Sequence, residues 1–189
     1  LGNYVFIRHL GEDGVAAFSI ACYFFPIIFM VYNAIAQSAQ PIISYNFGAG
    51  QHARVIKTLK LTIIYATCVT TFGFIVGMLF SDWVVSIFTS DAELIALSAK
   101  GLRIVVMFFP IIGFQMVTAN FFQSIGMASK AIFLSLTRQM MVLLPCLIIL
   151  PRFFGVAGVW YSMPISDLLA SLIAGTMLVW QLRKFKAQA

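Results

Sequence analysis

Five long apolar runs, separated by short polar segments, set the pattern of the chain. Each run matches or exceeds the roughly 20 helical residues that cross the hydrocarbon core of a membrane. The runs are continuous rather than alternating, and an open sheet leaves backbone groups unsatisfied in lipid, so they predict helices and not strands. The predicted spans cover about residues 14–47, 58–80, 94–125, 131–151 and 156–181, and residues 1–10 are predicted to be the stub of an earlier helix.

The segments between these spans are short, which indicates an up-and-down bundle. The predicted fold class is therefore all-α integral membrane: a bundle of five full transmembrane helices plus an N-terminal helix stub. We expect a single transmembrane domain over residues 1–189. The chain begins with Leu1 rather than Met and starts inside a helix, so we also expect a fragment of a longer protein.

The composition supports lipid as the surroundings of these helices. Hydrophobic residues make up 61% of the chain and charged residues 10%, whereas soluble domains have about 45–50% and about 25%. The net charge of +6 alone would fit a nucleic-acid partner, but the basic side chains stand at the ends of apolar runs. We therefore exclude nucleic acid and expect the lipid bilayer as the solvent of the chain.

The basic residues also predict the orientation of the chain. Arg54, Lys57 and Lys60 follow the first span, and Lys130 precedes the fourth. An up-and-down path puts these residues and the basic tail at one face of the membrane, and the positive-inside rule makes that face cytoplasmic. The loop at 48–60 and the C-terminus are therefore expected in the cytoplasm. The basic residues of the tail are Arg183, Lys184 and Lys186.

Amide side chains interrupt two of the apolar spans. In the first span they recur at spacings of four and three, on one helical face, and in the third they fall within an arc of roughly 140°. Buried amides need partners in lipid, and two roles remain open: interhelical contacts, or the wall of a polar cavity that binds substrate. The candidates are Asn33, Gln37 and Gln40 in the first span and Gln115, Asn120 and Gln123 in the third.

Asp167 is the one acidic residue deep in a predicted span, and a deep carboxylate is either functional or paired. Arg138 in the preceding span is its candidate partner. At 1.5 Å per residue, Asp167 and Arg138 lie roughly 24 and 13 Å from the cytoplasmic ends of their helices, a gap that a long arginine side chain bridges in part. The pair is predicted to be either a structural ion pair or a coupling site whose protonation matters.

The segment QPIISYNFGAGQ, residues 40–51, ends the first span. Gly48 and Gly50 are expected to stop the helix, since glycine readily adopts left-handed backbone angles. Paired carboxylates within a span, a nucleophile motif and a phosphate-binding loop are absent from the sequence, and the three cysteines lack metal-ligand spacing. We therefore predict no enzyme, no catalytic residue, no metal site and no cofactor.

Three segments carry a family resemblance: NAIAQSAQPIISYNFGAGQ with the basic run after it, TANFFQSIGMASKAIFLSLTRQ, and LPRFFGVAGVWYSMPISDLLAS. They resemble the multidrug and toxic compound extrusion (MATE) transporters, in particular the bacterial multidrug branch, and the resemblance covers essentially the whole chain. That family has twelve helices in two six-helix lobes. The resemblance implies that this chain is most of the second lobe, from the end of the seventh helix to the C-terminus, and that the first lobe of the same protein is its missing partner.

The resemblance further implies a function: export of small organic cations by alternating access, coupled to inward flow of Na⁺ or H⁺ across the bacterial plasma membrane. The loop with Asn46, Gly48 and Gly50 looks like the inner gate of such a transporter. Some branches of the family carry an acidic residue on the tenth helix, whereas here that helix has only amides in its deep portion. The resemblance then implies that coupling falls to the missing first lobe, where other branches use an aspartate on the first helix, and Asp167 is a weaker candidate.

Two alternative functions remain open. A lipid-linked oligosaccharide flippase of the same superfamily needs a cavity richer in arginine to meet pyrophosphate, and only Arg138 qualifies. A non-transporting membrane subunit that binds other membrane proteins fits the truncated start and the scarcity of deep acidic residues. Drug efflux stays the predicted function, and the fragment alone is expected to be inactive.

Overall fold

A computed structural model describes the backbone of residues 2–187 and the side chains of residues 14–21 and 23–185. Within residues 2–187 the chain forms nine α-helices and no strand. A 3-10 turn, Val106–Phe108, joins α5 to α6, and a π-helix, Thr137–Leu143, joins α7 to α8. The helices are α1 (Gly2–Ser38), α2 (Gln40–Gly48), α3 (His52–Leu79), α4 (Ser81–Ser86), α5 (Ala92–Val105), α6 (Phe109–Ser124), α7 (Ala128–Leu136), α8 (Leu144–Phe154) and α9 (Val156–Ala187).

Five helical stretches of the described chain are long and apolar enough to cross a membrane, which confirms the predicted all-α bundle. They are Gly14–Gly48, His52–Leu79, Ala92–Ser124, Ala128–Phe154 and Val156–Phe185. The predicted and observed ends differ most for the second span, which begins at His52 rather than at residue 58. The additional first turns of this helix contain charged residues such as Lys57. The predicted span omits them because a helix can continue past the hydrocarbon core into the charged membrane surface, where the residues are no longer apolar.

The N-terminal stub is helical but is not separate from the first span. α1 runs from Gly2 to Ser38 without a break, although a connection was expected at residues 9–14. That expectation is wrong because Gly11 and Gly14 each weaken a helix by only about 1 kcal/mol, and no proline stands beside them to remove a backbone donor. The helix therefore continues through this polar segment.

The spans approach closely where small residues face a neighbouring helix. α3 packs on α6, α1 packs on α3 and α5, and α9 packs on α6, α8 and the π-helix. At Gly113 in α6, a β-carbon would lie 2.9 Å from the backbone oxygen of Ala66 in α3, so a larger residue does not fit between these two spans. Large buried side chains such as Tyr32, Phe121 and Phe122 fill the rest of the core.

Three of the spans are interrupted just before a proline. Ala39 interrupts the first span before Pro41, the 3-10 turn interrupts the third before Pro110, and the π-helix interrupts the fourth before Pro145. Proline lacks an N–H and its ring crowds the carbonyl four residues earlier, so the preceding turn tightens or widens. Each interrupted span therefore consists of shorter helices that meet at an irregular turn.

Candidate functional site

A cavity of about 200 Å³ opens inside the bundle, and we call it the central cavity. Its wall is mainly aromatic and aliphatic with a few polar groups, which is the usual character of a small-ligand site. The lining side chains come from α1, α5, α6, the π-helix and α9. They are Phe25, Val105, Phe109, Arg138, Gln139, Leu143, Met163, Ser166 and Asp167.

The central cavity lies where the irregular parts of the helices meet. Some of its lining residues flank the 3-10 turn between α5 and α6, and others belong to the π-helix between α7 and α8. Pro26 and Pro164 directly follow two lining residues, Phe25 and Met163, inside α1 and α9, and both helices continue through these prolines. Two helix irregularities, the 3-10 turn and the π-helix, therefore border one space, where the backbone has fewer regular hydrogen bonds than elsewhere in these two spans.

An ion pair between two spans forms part of the cavity wall. The Nε–H of Arg138 donates to Oδ1 of Asp167 at 2.6 Å. The side chain of Asp167 is 4% exposed and that of Arg138 is 24% exposed. The guanidinium carbon of Arg138 lies 5.3 Å from the centre of the Phe25 ring. The structure thus brings together the two residues that the sequence predicted to pair, and a coupling role for the pair stays a prediction.

A second cavity, of about 160 Å³, adjoins the same arginine, because Arg138 and Gln139 line both cavities. Two residues in the wall of this second cavity, Tyr32 and Gln115, are buried. Oη of Tyr32 and Oε1 of Gln115 have no hydrogen-bond partner. Buried polar groups are nearly always satisfied, so these two atoms are well placed to bind a polar ligand beside Arg138.

The predicted amides do not form one polar wall. The Nε2–H of Gln40 donates to Oδ1 of Asn120 at 2.6 Å, and the Oγ–H of Ser44 donates to the Ser124 carbonyl at 2.7 Å. The Nδ2–H of Asn120 donates in turn to the Met116 carbonyl at 3.0 Å. These contacts join α2 to α6, so the geometry favours the interhelical role for Gln40 and Asn120.

The other predicted amides have different surroundings. Gln37 and Gln123 are exposed on the surface of the described chain. Asn33 is half-buried, and its Oδ1 has no hydrogen-bond partner. Gln115 is the one of the six predicted amides that lines either of the two cavities described above. A role of these side chains in substrate binding stays a prediction.

Aromatic side chains of α1 line the cavities and were absent from the sequence-based candidates. Phe25, Phe29 and Tyr32 recur at spacings of four and three, which places them on one face of α1. The spacing of these aromatic residues was therefore visible in the sequence. It did not identify a cavity, because aromatic residues on one face of an apolar helix fit a lipid-facing surface equally well. Gln139 was missed because it lies in the π-helix, where the 3.6-residue period does not hold.

The loop after α2 closes with a Schellman motif at Gly50. The N–H of Gln51 donates to the Asn46 carbonyl at 2.8 Å, and the N–H of Gly50 donates to the Phe47 carbonyl at 3.1 Å. Gly50 has a φ of +70°, a left-handed angle that favours glycine. Gly48 is instead the last residue of α2, so the expectation that both glycines stop the helix is wrong for Gly48. One left-handed residue is enough to complete the motif, and the role of the loop as an inner gate stays a prediction.

Comparison with known proteins identifies relatives of this chain. The MatE family model matches residues 4–149. Over 183 residues the chain is 25% identical to the multidrug export protein MepA of Staphylococcus aureus, a match that covers 95% of this chain and 39% of MepA. Over 166 residues it is 22% identical to an FAD transporter of Shewanella oneidensis, a match that covers 88% of this chain and 37% of that protein.

A solved transporter structure contains the same helical arrangement. A ligand complex of the MATE multidrug transporter DinF-BH matches this chain with a TM-score of 0.81 and 33% sequence identity. The match covers 94% of this chain and 40% of that one. The chain thus spans about two fifths of the length of the relatives it matches.

Proposed function

The chain belongs to the MatE family, and on that basis we propose that it forms the C-terminal transmembrane lobe of a transporter that exports small organic cations in exchange for Na⁺ or H⁺. Residues 1–189 then supply the second six-helix lobe, and the first lobe of the same protein is its partner. Relatives that are named for multidrug export support this substrate class. Because the chain covers about two fifths of those relatives, we expect it to be inactive without the other lobe.

The observation that carries this proposal is the buried ion pair beside the two cavities. Asp167 holds its negative charge against Arg138 in a nearly inaccessible position. A proton or Na⁺ that binds the carboxylate competes with the guanidinium, since a buried charge is stable only with a partner. Binding of the coupling ion thereby releases Arg138 and changes the charge that a cationic substrate meets.

The aromatic wall suits a lipophilic cation. Phe25 already lies 5.3 Å from the Arg138 guanidinium carbon, and the face of an aromatic ring attracts cations at such distances. Phe109 and Phe29 add apolar surface to the central and the second cavity, respectively. A substrate cation that displaces the guanidinium can therefore occupy its place over the Phe25 ring.

An exposed face of the first span offers a surface for the first lobe. Tyr23, Ile27 and Met30 are exposed large apolar side chains, and Gln37 continues the exposed face toward α2. Their spacings of four, three and seven place them on one side of the helix. An apolar stripe with an amide at its end fits a protein partner inside the membrane.

The proposed lobe lies in the plasma membrane of a bacterial cell, with the 48–60 loop and the C-terminus in the cytoplasm. The basic residues near those segments support this orientation, because positively charged segments are retained on the cytoplasmic side. With described side chains they are Arg54, Lys57, Lys60, Lys130, Arg183 and Lys184.

Export of an anionic substrate is the alternative, since one relative is named as an FAD transporter. Phosphate groups require unpaired basic side chains, and the two cavities contain one basic residue, Arg138, which is already paired. The same observation weighs against a lipid-linked oligosaccharide flippase. Organic-cation export therefore has the stronger support.

Ethidium efflux tests the proposal in cells that express the complete reading frame of the gene, with the Na⁺ and pH gradients varied separately. We expect efflux to stop when one gradient is collapsed, which names the coupling ion. Asp167→Asn should abolish this efflux, whereas Glu93→Gln, which neutralises an exposed carboxylate, should leave it intact. Absence of efflux from protein shown to be in the membrane would favour the flippase or a non-transporting subunit.

A further inference from the structure

The C-terminal part of α9 places a tryptophan next to two lysines. Nζ of Lys184 lies 3.6 Å and Nζ of Lys130 lies 4.7 Å from the centre of the Trp180 ring. The Nζ–H of Lys130 also donates to Oε1 of Gln181 at 3.2 Å, which holds the ammonium group beside the ring. Trp180 is 51% exposed, so the ring and its two cations are accessible from outside the bundle.

These cations have no acidic partner among the side chains that the structure describes, because both ion pairs in that part of the chain involve other residues. The nearest acid in the same helix, Asp167, lies about 20 Å along the axis from Trp180 and is paired with Arg138. Arg183 adds a third, exposed basic side chain at this end of α9. Three positive charges are thus grouped without a counter-charge from the described chain.

A shallow groove, open to the outside and lined by residues of α9, leads away from this basic end along the helix. Its volume is about 460 Å³ and its lining runs from Ser171 to Arg183, which is about 18 Å of helix. One leaflet contributes about 15 Å to the hydrocarbon core of a bilayer, and the part of the groove from Ser171 to Val179, about 12 Å of helix, follows most of that depth. A hollow of about 250 Å³ beside it is lined by Lys130 and shares Thr176 and Trp180 with the groove.

We propose that this end of α9 binds one anionic phospholipid, with its phosphate held by Lys130, Lys184 and Arg183 and an acyl chain in the groove. Ammonium and guanidinium groups form strong charge-assisted hydrogen bonds with phosphate oxygens. Tryptophan favours the depth of the lipid headgroups, and basic pockets at the membrane surface select anionic headgroups. A soluble anion would neutralise the cations but leave the apolar groove exposed. A phospholipid neutralises the cations with its phosphate and covers the groove with an acyl chain.

Native mass spectrometry of the purified protein tests this site, with phosphatidylglycerol and phosphatidylcholine of the same acyl chains as probes. We expect phosphatidylglycerol to be retained in preference. Lys184→Gln and Arg183→Gln should each lower the preference about fivefold, the effect of one basic residue near an anionic membrane surface. Lys57→Gln, which removes an exposed lysine of α3, should leave the preference unchanged.

Gly175→Leu tests the acyl-chain groove separately from the headgroup site. A β-carbon at Gly175, which lines the groove, would meet Phe114 only at an ordinary contact distance of 3.8 Å. A leucine there should fill the groove and weaken the binding of both lipids by the same factor. The preference for phosphatidylglycerol over phosphatidylcholine should then stay unchanged. Equal binding of the two lipids by the unmutated protein would overturn the proposal. Displacement of phosphatidylglycerol by an equal concentration of inorganic phosphate would also overturn it, since it would show a simple anion site.

Discussion

Nε of Arg138 lies 2.6 Å from Oδ1 of Asp167, and this contact ties the fourth span to the fifth inside the bundle. Nearer the ends of the same two spans, Nζ of Lys130 lies 3.2 Å from Oε1 of Gln181. The two contacts are roughly 12 Å apart along the fourth span and roughly 21 Å apart along the fifth. Counting residues along the helices therefore leaves a gap between Arg138 and Asp167 that the observed contact closes.

Asp167→Asn should lower the free energy of unfolding by up to about 3–5 kcal/mol, because Arg138 then keeps a buried charge without a partner. Combining it with Arg138→Gln should recover most of that loss, since both charges are removed. Thermal unfolding of the purified variants in detergent measures the change, with Glu93→Gln as the control for loss of an exposed carboxylate. Equal stability of the single and double variants would contradict the expectation.

Transport by the same double variant separates the structural role of the pair from a coupling role. If Asp167 binds the coupling ion, the double variant should fold and still fail to export ethidium. Full export by a stable double variant would restrict the pair to a structural role.

Tyr32→Phe should reduce export while leaving the stability of the protein nearly unchanged. Oη of Tyr32 has no hydrogen-bond partner, so its removal breaks no internal bond, and we expect a change below about 0.5 kcal/mol in the free energy of unfolding. Ethidium efflux and thermal unfolding, measured on the same variant, check both parts. Tyr65→Phe, which alters an exposed tyrosine of α3, is the control. Identical export from the two variants would exclude a contact between the Tyr32 hydroxyl and the substrate.

Gln40→Ala should destabilise the contact between α2 and α6, whereas Gln37→Ala should not. Gln40 loses its hydrogen bond to Asn120, which is worth about 0.6–2 kcal/mol between transmembrane helices, while Gln37 is exposed. Thermal unfolding distinguishes the two variants. If Gln37 also binds substrate, its variant should change drug resistance at an unchanged level in the membrane, and unchanged resistance would leave Gln37 without a role in binding.

The bundle was predictable from the sequence because lipid leaves the backbone few choices. A run of about 20 apolar residues spans the hydrocarbon core, and only a helix satisfies its own backbone there. The contact between Arg138 and Asp167 follows from the same physics, since a deep carboxylate needs a partner. The expected break at residues 9–14 failed because glycine weakens a helix without removing a donor.

The contacts of the amide side chains were not predictable from the sequence. The helical period shows which residues share a face of a helix, but it does not show which neighbouring helix, if any, packs against that face. Gln40 meets Asn120, while Gln37 faces outward less than one turn earlier. The interruption at Ala39, before Pro41, separates the two glutamines into different helices. Ala39 keeps right-handed helical angles, so Gln37 and Gln40 remain about 60° apart around the axis, and this offset leaves Gln37 outside while Gln40 reaches α6.

Gly50→Ala should lower the free energy of unfolding by about 1–2 kcal/mol, because an alanine is strained at the left-handed angle of this position. Gly48→Ala should be neutral or slightly stabilising, because Gly48 is helical and alanine favours helices. A β-carbon meets no atom within 4 Å at either position, so the two variants differ only in backbone strain. Thermal unfolding followed by circular dichroism compares them, and equal losses would contradict the assignment of the motif to Gly50.

The 3-10 turn of the third span and the π-helix of the fourth span both border the central cavity. Each of these turns precedes a proline, which removes a backbone donor. Bending the third or the fourth span at its irregular turn should therefore break few further backbone hydrogen bonds, whereas bending the continuous α3 would break several. The pair of Arg138 and Asp167 lines the same cavity as the residues beside these two turns, so we expect a change in its charge to act where the third and fourth spans bend most easily.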